Sequence, residues 1–298
     1  MATSASAWMG SVKGRSGSPV PGASSVVGVA MRPILPTGDS LPPVDDAAHA
    51  TARALLDLRR AHADAVLPAD LVPADLDAAY AAHVALLDLL SADGGGPRIG
   101  WKVGFTNQTA QERNGATEPV FAGLLGQHAY AGEAEIPSPR GTGLGVEPEI
   151  ALRLAAPLAG PVSQREAAAA VEAVAIAMEV VEQRGAPDLA TNIADGILQF
   201  GCVLGEWHPD CDPLALDQAL VRLQVDGETN GFMPASEVLG HPLAALAWLS
   251  AAADRRGVEL RPGDVILTGA ICPAQHLDPG QMAEVAAEGL GDIRLWVD

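Results

Sequence analysis

VEPEIALRL, residues 146–154, is the stretch from which the architecture and chemistry of this chain unfold. It reads as a β-strand, so Glu147 and Glu149, two residues apart, point to the same face. Two carboxylates side by side repel, and neither tolerates loss of water. Turned toward a core, such a pair requires a cation or a proton; turned outward, it is simply two solvated glutamates. Pro148 between them suits an edge strand or a bulge, where sites tend to open.

Working outward, short runs with turn signals repeat the strand texture: RIGWKVGF (98–105), VAIAMEVVE (174–182), LQFGCVLG (198–205), VRLQVDGE (221–228), DVILTG (264–269) and GDIRLWVD (291–298). Asp226-Gly227 has the chemistry of a hairpin turn. Ser163 and Glu166 form a capping box that opens a helix over the following alanines. HPLAALAWLSAAADRRG (241–257) is a second helix, with His241 serving its start and Gly257 its stop.

Before Pro97 the pattern is different. DDAAHATARALLDLRRAHADA (45–65) and PADLDAAYAAHVALLDLLSA (73–92) carry apolar residues at helical spacing, including Leu76, Tyr80, Val84 and Leu87. His49, His62 and His83 fall here and read as surface or half-buried histidines. Helices are too few for regular βαβ alternation, so the chain is expected to be α+β. Residues 44–96 form a helical section, and 97–298 a mixed, mainly β part of one catalytic domain. Residues 1–43, rich in Ser, Gly, Pro and Ala, read as a disordered tail in which Met31 is an alternative start.

A third acid strengthens the first pair. If VAIAMEVVE is a strand, Val174, Ile176, Met178 and Val180 share one face, and Ala175, Ala177 and Glu179 the other. Small alanines leave room beside the Glu179 carboxylate. Three carboxylates would suit a hard dication, Mg²⁺ or Mn²⁺. If the helix over the alanines continues instead, Glu179 is an exposed acid. Lys102, alternating opposite Trp101 and Val103, is either a solvated strand lysine or a cation able to steady developing negative charge. Gly141-Thr-Gly-Leu-Gly145 has a phosphate-loop look but leads into a strand rather than joining strand to helix, which argues against a dinucleotide site.

Bulk numbers bound the class. The chain has 298 residues and a formal charge of -19, from 18 Lys plus Arg against 37 Asp plus Glu. So negative a surface disfavours nucleic acid and anionic membrane as partners, yet leaves an anionic substrate open where a bound dication reverses the local field. Three cysteines (Cys202, Cys211, Cys272) without a CxxC pair point to a reducing cytoplasm. Neither a signal peptide nor a membrane span is expected.

GWKVGFT (100–106), VEPEIAL, AMEVVE, SEVLGHPLAALAWL (236–249) and RPGDVILTGA (261–270), in this order and spacing, resemble the 2-keto-4-pentenoate hydratase and 4-oxalocrotonate decarboxylase group of the fumarylacetoacetate hydrolase superfamily. The resemblance implies a mixed β-roll core. It implies Mg²⁺ or Mn²⁺ on Glu147, Glu149 and Glu179, Lys102 beside the substrate, and Leu267-Thr268-Gly269 lining the same pocket. It implies water addition to a small anionic 2-hydroxydienoate or 2-oxo-enoate in aromatic catabolism, by a cytoplasmic homo-oligomer. Segment 107–119 is expected to form a lid. The group carries an acid in the segment matching residues 123–128, where this chain has Gln127 and His128; His128 is the substitute expected to shuttle protons. Decarboxylation or carbon–carbon hydrolysis on the same fold is the alternative, and a non-catalytic oligomer partner a further one.

Overall fold

The computed structural model describes residues 44–138 and 143–298; the expected tail, and Gly141 and Thr142 of the glycine-rich stretch, lie outside the described residues. Helix α1 (Asp46–Arg60) opens on Asp45, whose carboxylate accepts from the Ala48 N–H at 2.8 Å, and closes with Arg59 and Arg60 in its last turn. Both ends therefore complement the helix dipole. Helix α2 (Leu76–Leu90) starts the same way on Asp75 and is buried along most of its length.

The chain then runs through β1 (Arg98–Gly104), α3 (Gln108–Asn114), β2 (Val120–Leu125), β3 (Ala129–Ala131) and β4 (Glu133–Ile136). Next come β5 (Leu144–Leu154), α4 (Gln164–Ala169), β6 (Val171–Val181), α5 (Leu189–Ala194) and β7 (Gln199–Leu204). The remainder holds β8 (Leu220–Val225), β9 (Glu228–Pro234), α6 (Pro242–Asp254), β10 (Val265–Leu267), β11 (Gln275–Leu277), β12 (Met282–Ala287) and β13 (Gly291–Val297). One sheet has the order β2-β1-β10-β5-β6-β7-β3, with β11 also paired to β5; the other is β4-β13-β12-β8-β9. Parallel and antiparallel pairs mix in both sheets. The expected α+β class with N-terminal helices is what the molecule has.

The alternation along β6 sets the layering. Val174, Ile176, Met178 and Val180 enter the main core with Leu223, Val285, Ile293 and Leu295 of the smaller sheet. Ala175 and Ala177, on the other face, join Ala151, Leu124, Cys202 and Leu267 in a compact second cluster. At the start of β1 a register shift between Arg98 and Gly100 breaks the simple alternation, so Ile99 packs with this second cluster rather than beside Trp101. Gly100 permits the crossing: a Cβ there would lie 1.9 Å from the Val265 carbonyl oxygen.

Three local expectations change. Pro148 is not on an edge strand, since β5 lies in the middle of the larger sheet. However, β10 pairs only with residues 151–153 of β5 and β11 only with 144–146, leaving a notch beside Pro148. The Pro148 carbonyl accepts from the Ile271 N–H at 2.9 Å on that side, so the missing proline N–H would also have faced the notch and costs β6 no ladder bond. Strand β2 went unrecognised, because Phe121-Ala-Gly-Leu-Leu125 shows no clean alternation. His83, expected at or near the surface, is buried. Its Nε2 accepts from the Gly123 N–H at 2.9 Å, tying α2 to β2.

Burial holds His83 neutral, lowering its pKa to about 4. A folded-state value below the unfolded one means stability is lost as pH falls from about 6.5 toward that value. His83→Leu orphans the Gly123 N–H and is expected to cost about 1–3 kcal/mol in urea unfolding at neutral pH. The variant should also lose less stability than wild type on acidification over that window. A change under about 0.5 kcal/mol at neutral pH would show that the bond contributes little.

Candidate metal centre

Strand pairing brings the three glutamates together. In the β5–β6 ladder Glu147 stands directly opposite Glu179, and Glu149 opposite Ala177. One ligand oxygen from each of Glu147, Glu149 and Glu179 can be chosen so that all three lie within 4.8 Å of one another. Among the described residues this is the one group of three His, Cys, Asp or Glu side chains so placed. Glu149 and Glu179 are wholly buried, and Glu147 is half-buried. The alternatives of a solvated strand face and of a helical, exposed Glu179 are both excluded by this burial and by β6.

Their surroundings do not neutralise them. Glu149 Oε2 accepts from the Gly269 N–H at 2.7 Å, but Glu149 Oε1 and both Glu179 oxygens are buried without a hydrogen-bond donor. Lys102, itself buried, places Nζ 3.0 Å from Glu179 Oε1. That contact is an ion pair misaligned for a hydrogen bond; the ammonium donates instead to the Ile197 carbonyl at 2.8 Å. Burial, followed by the Glu179 charge, raises the Glu147 pKa to about 7. Burial, then Glu179 and Glu147, holds Glu149 well above the ordinary carboxylate range. Orphaned carboxylate oxygens converging in a small-residue pocket fit a hard divalent cation.

The expected Leu267-Thr268-Gly269 segment lies against this group. Leu267 packs in the small-residue cluster, and the Thr268 hydroxyl donates to the Ile150 carbonyl at 2.9 Å. Gly269, at φ +114°, has no room for a side chain: a Cβ would lie 2.5 Å from the Thr106 side chain. The notch beside Pro148 is what lets residues 268–274 leave the sheet and return this N–H to Glu149.

His128 is not brought to the group. It follows β2 in a short helical turn, two strands away from Glu179, and makes no hydrogen bond or ion pair with Lys102 or the three glutamates. Its ring packs on Phe200 at 4.8 Å between centroids. Sequence reasoning missed two neighbours. Cys202 stands opposite Glu179 on β7, its thiol pushed up to about 12 by burial and then by Glu179 and Glu149. Ile197 supplies the carbonyl for Lys102 from a left-handed backbone, φ +54°, followed by Leu198 at φ +63°. No hydropathy signal marks either. The 107–119 segment contains α3, a short helix with no buried residue.

A model of the fumarylacetoacetate (FAA) hydrolase C-terminal family matches residues 78–298. The chain is 32% identical over 206 residues to a 4-oxalocrotonate decarboxylase of Pseudomonas sp, covering 67% of this chain and 78% of that one. It is 31% identical over 219 residues to a 2-hydroxyhexa-2,4-dienoate hydratase of Comamonas testosteroni, covering 71% and 83%. In fold it matches the 4-oxalocrotonate decarboxylase of Pseudomonas putida G7, complexed with magnesium and adipate, with a TM-score of 0.79 and 22% identity over 87% of this chain and all of that one.

Raised carboxylate values carry a stability consequence. The folded protein without metal retains protons that the unfolded chain releases, so its stability falls as pH rises from about 4.5 through about 7. Melting in a chelator is expected to drop across that window, and Mg²⁺ to raise Tm more at about pH 7.5 than at about pH 5. Glu149→Gln should raise the chelator Tm at the higher pH and abolish the Mg²⁺ increment. A Mg²⁺ increment retained in Glu149→Gln would remove Glu149 from the ligand set.

Proposed function

The chain belongs to the fumarylacetoacetate (FAA) hydrolase C-terminal family, and from that premise we propose that it is a metal-dependent lyase acting on a small 2-oxo or 2-hydroxy acid. The observation that carries the reading is the set of three buried carboxylates with orphaned oxygens beside Lys102. Glu147, Glu149 and Glu179 would hold Mg²⁺ or Mn²⁺. A bound dication supplies Lewis acidity to a substrate carboxylate and 2-oxo oxygen.

The chain's own groups then have definite tasks. Lys102 sets a positive charge next to the ligands, placed to steady negative charge that develops on substrate oxygen. Gly269 N–H fixes one oxygen of Glu149, leaving the other free to point into the site. Thr268 pins the loop to Ile150, and Leu267 with Ala151, Ala175 and Ala177 forms a wall that excludes water around a small acid. The domain proposed to do this runs from about residue 44 to 298. The free cysteines suit a reducing cytoplasm, and the family resemblance extends the proposal to a homo-oligomer.

Hydration is the first reading: a proton is added to the terminal carbon of a 2-hydroxydienoate, and water then adds at C4 to yield a 4-hydroxy-2-oxo acid. The relatives named hydratase at 31% identity support it. Decarboxylation of a vinylogous oxo acid is the second reading, and one observation favours it. The small cluster beside the glutamates is Ala, Leu, Val, Ile and Cys, and among the described residues no acid other than Glu179, and no imidazole, ion-pairs with Lys102. Loss of carbon dioxide requires only a sink for negative charge at the 2-oxo group; hydration also requires a group to move protons.

The protein with Mg²⁺ is to be given 2-hydroxypenta-2,4-dienoate and, separately, an oxalocrotonate-type acid, following ultraviolet absorbance and carbon dioxide together. Dienol loss without gas supports hydration, gas from the second acid supports decarboxylation, and inertness toward both removes the lyase proposal. Lys102→Met is expected to lower kcat/KM by about 10²–10³. Its Mg²⁺ affinity should stay within a few-fold of wild type, so loss of metal instead would make Lys102 a part of the ligand set.

A further inference from the structure

A second chemically equipped cavity, of about 250 Å³, lies between α1, α2, β2 and β7, and none of the three glutamates nor Lys102 lines it. One end is polar. Arg184 is buried and donates through Nε to Asp195 Oδ2 at 2.6 Å, while its Nη2 is buried without any hydrogen-bond partner. Arg59 holds the other oxygen of the same carboxylate at 2.9 Å and also donates to the Asp195 carbonyl. His128 also lines the cavity, and its Nδ1 is likewise buried and unpartnered.

The acids around the cavity are already engaged. Asp195 is shared by two guanidiniums, Asp93 is paired with Arg60, and Glu182 has a partner of its own. What remains is a guanidinium N–H donor out of contact with water and lacking an acceptor, in a place where burial already pulls Arg184 below its ordinary value. An unmade charge-assisted bond of this kind is costly, and a carboxylate is the acceptor whose planar geometry a guanidinium matches. Part of the lining is apolar: Leu86, Leu87 and Leu90 of α2, and Phe200, whose ring packs on His128. The volume suits an occupant of benzoate size, with the acid group at one end and a ring or short chain at the other.

We propose that this cavity is a binding site for a small carboxylate with an apolar body, separate from the metal centre, in which Arg184 Nη2 and His128 receive the carboxylate. One link joins the two places: Gly196 lines the cavity, and its neighbour Ile197 supplies the carbonyl that holds Lys102.

The test is equilibrium dialysis of radiolabelled benzoate against the full-length protein in a chelator, with benzyl alcohol as the uncharged competitor. One benzoate per chain is expected, displaced by unlabelled benzoate and at least about tenfold less well by benzyl alcohol. Arg184→Met should weaken binding by about tenfold or more. Leu90→Phe, which fills the apolar end and keeps every charge, should weaken it as well and decides the matter should Arg184→Met fail to fold. Glu149→Gln should bind benzoate within about twofold of wild type, since the metal ligands are not involved. Saturable binding that survives Leu90→Phe, loss of binding in Glu149→Gln, or no binding to wild type at millimolar benzoate would each overturn the proposal.

Discussion

Repulsion among three carboxylates that the backbone forces together is the constraint on which this molecule turns. Antiparallel pairing of β5 with β6 fixes Glu147 opposite Glu179, and the two-residue period of the strand brings Glu149 onto the same face. A one-residue slip of β6 would part them only by carrying Val174, Ile176, Met178 and Val180 out of the core. The fold therefore brings three acidic groups together in its interior, and without a cation the cluster relieves their repulsion by retaining protons and by the Lys102 ammonium beside Glu179. Burying uncompensated charge opposes folding, which is why the proposed dication would stabilise this arrangement.

The sheet is built to tolerate this. A proline in a central strand ordinarily costs a ladder bond, but here the neighbour on one side is interrupted where β10 ends and β11 has not begun. Pro148 faces that gap. The same interruption lets the Thr268–Ala274 segment arch away, with Thr268, Gly269 and Ile271 tied to Ile150, Glu149 and Pro148 in turn. Proline and loop are thus two sides of one feature. An unbroken β10 would leave Pro148 under an unpaired carbonyl and Glu149 without the Gly269 N–H.

Local chemistry was the legible part of the sequence. The Ser163 capping box, the Asp226-Gly227 hairpin and the alternation along residues 174–182 are carried by side chains adjacent in the chain, and each appears as expected. Strand periodicity sets Glu147 and Glu149 on one face, whereas Glu179 joins them only through the family resemblance, because the β5–β6 register that brings it opposite Glu147 is not local. What stayed hidden depends on distant partners. His83 looks like any helical histidine until Gly123 arrives from β2, and the role expected of His128 comes from the family resemblance rather than from any local pattern. Arg59, Arg184 and Asp195 come from α1, the segment after β6 and the end of α5, and no spacing rule relates them.

The turn from Asp195 to Leu198 shows how such distant pieces combine. Two consecutive bulky residues, one β-branched, adopt the left-handed region, at a cost of about 1–2 kcal/mol each. Such a backbone persists only where its surroundings over-determine it. Here Arg59 and Arg184 clamp Asp195 at one end, and Lys102 holds the Ile197 carbonyl at the other. With its ammonium committed to that carbonyl, Lys102 stands beside Glu179 without hydrogen-bonding it, leaving both Glu179 oxygens for another partner. The strained turn therefore does positional work: relaxing it would free the lysine to satisfy Glu179 directly, and would close off the oxygens that the proposed cation would use.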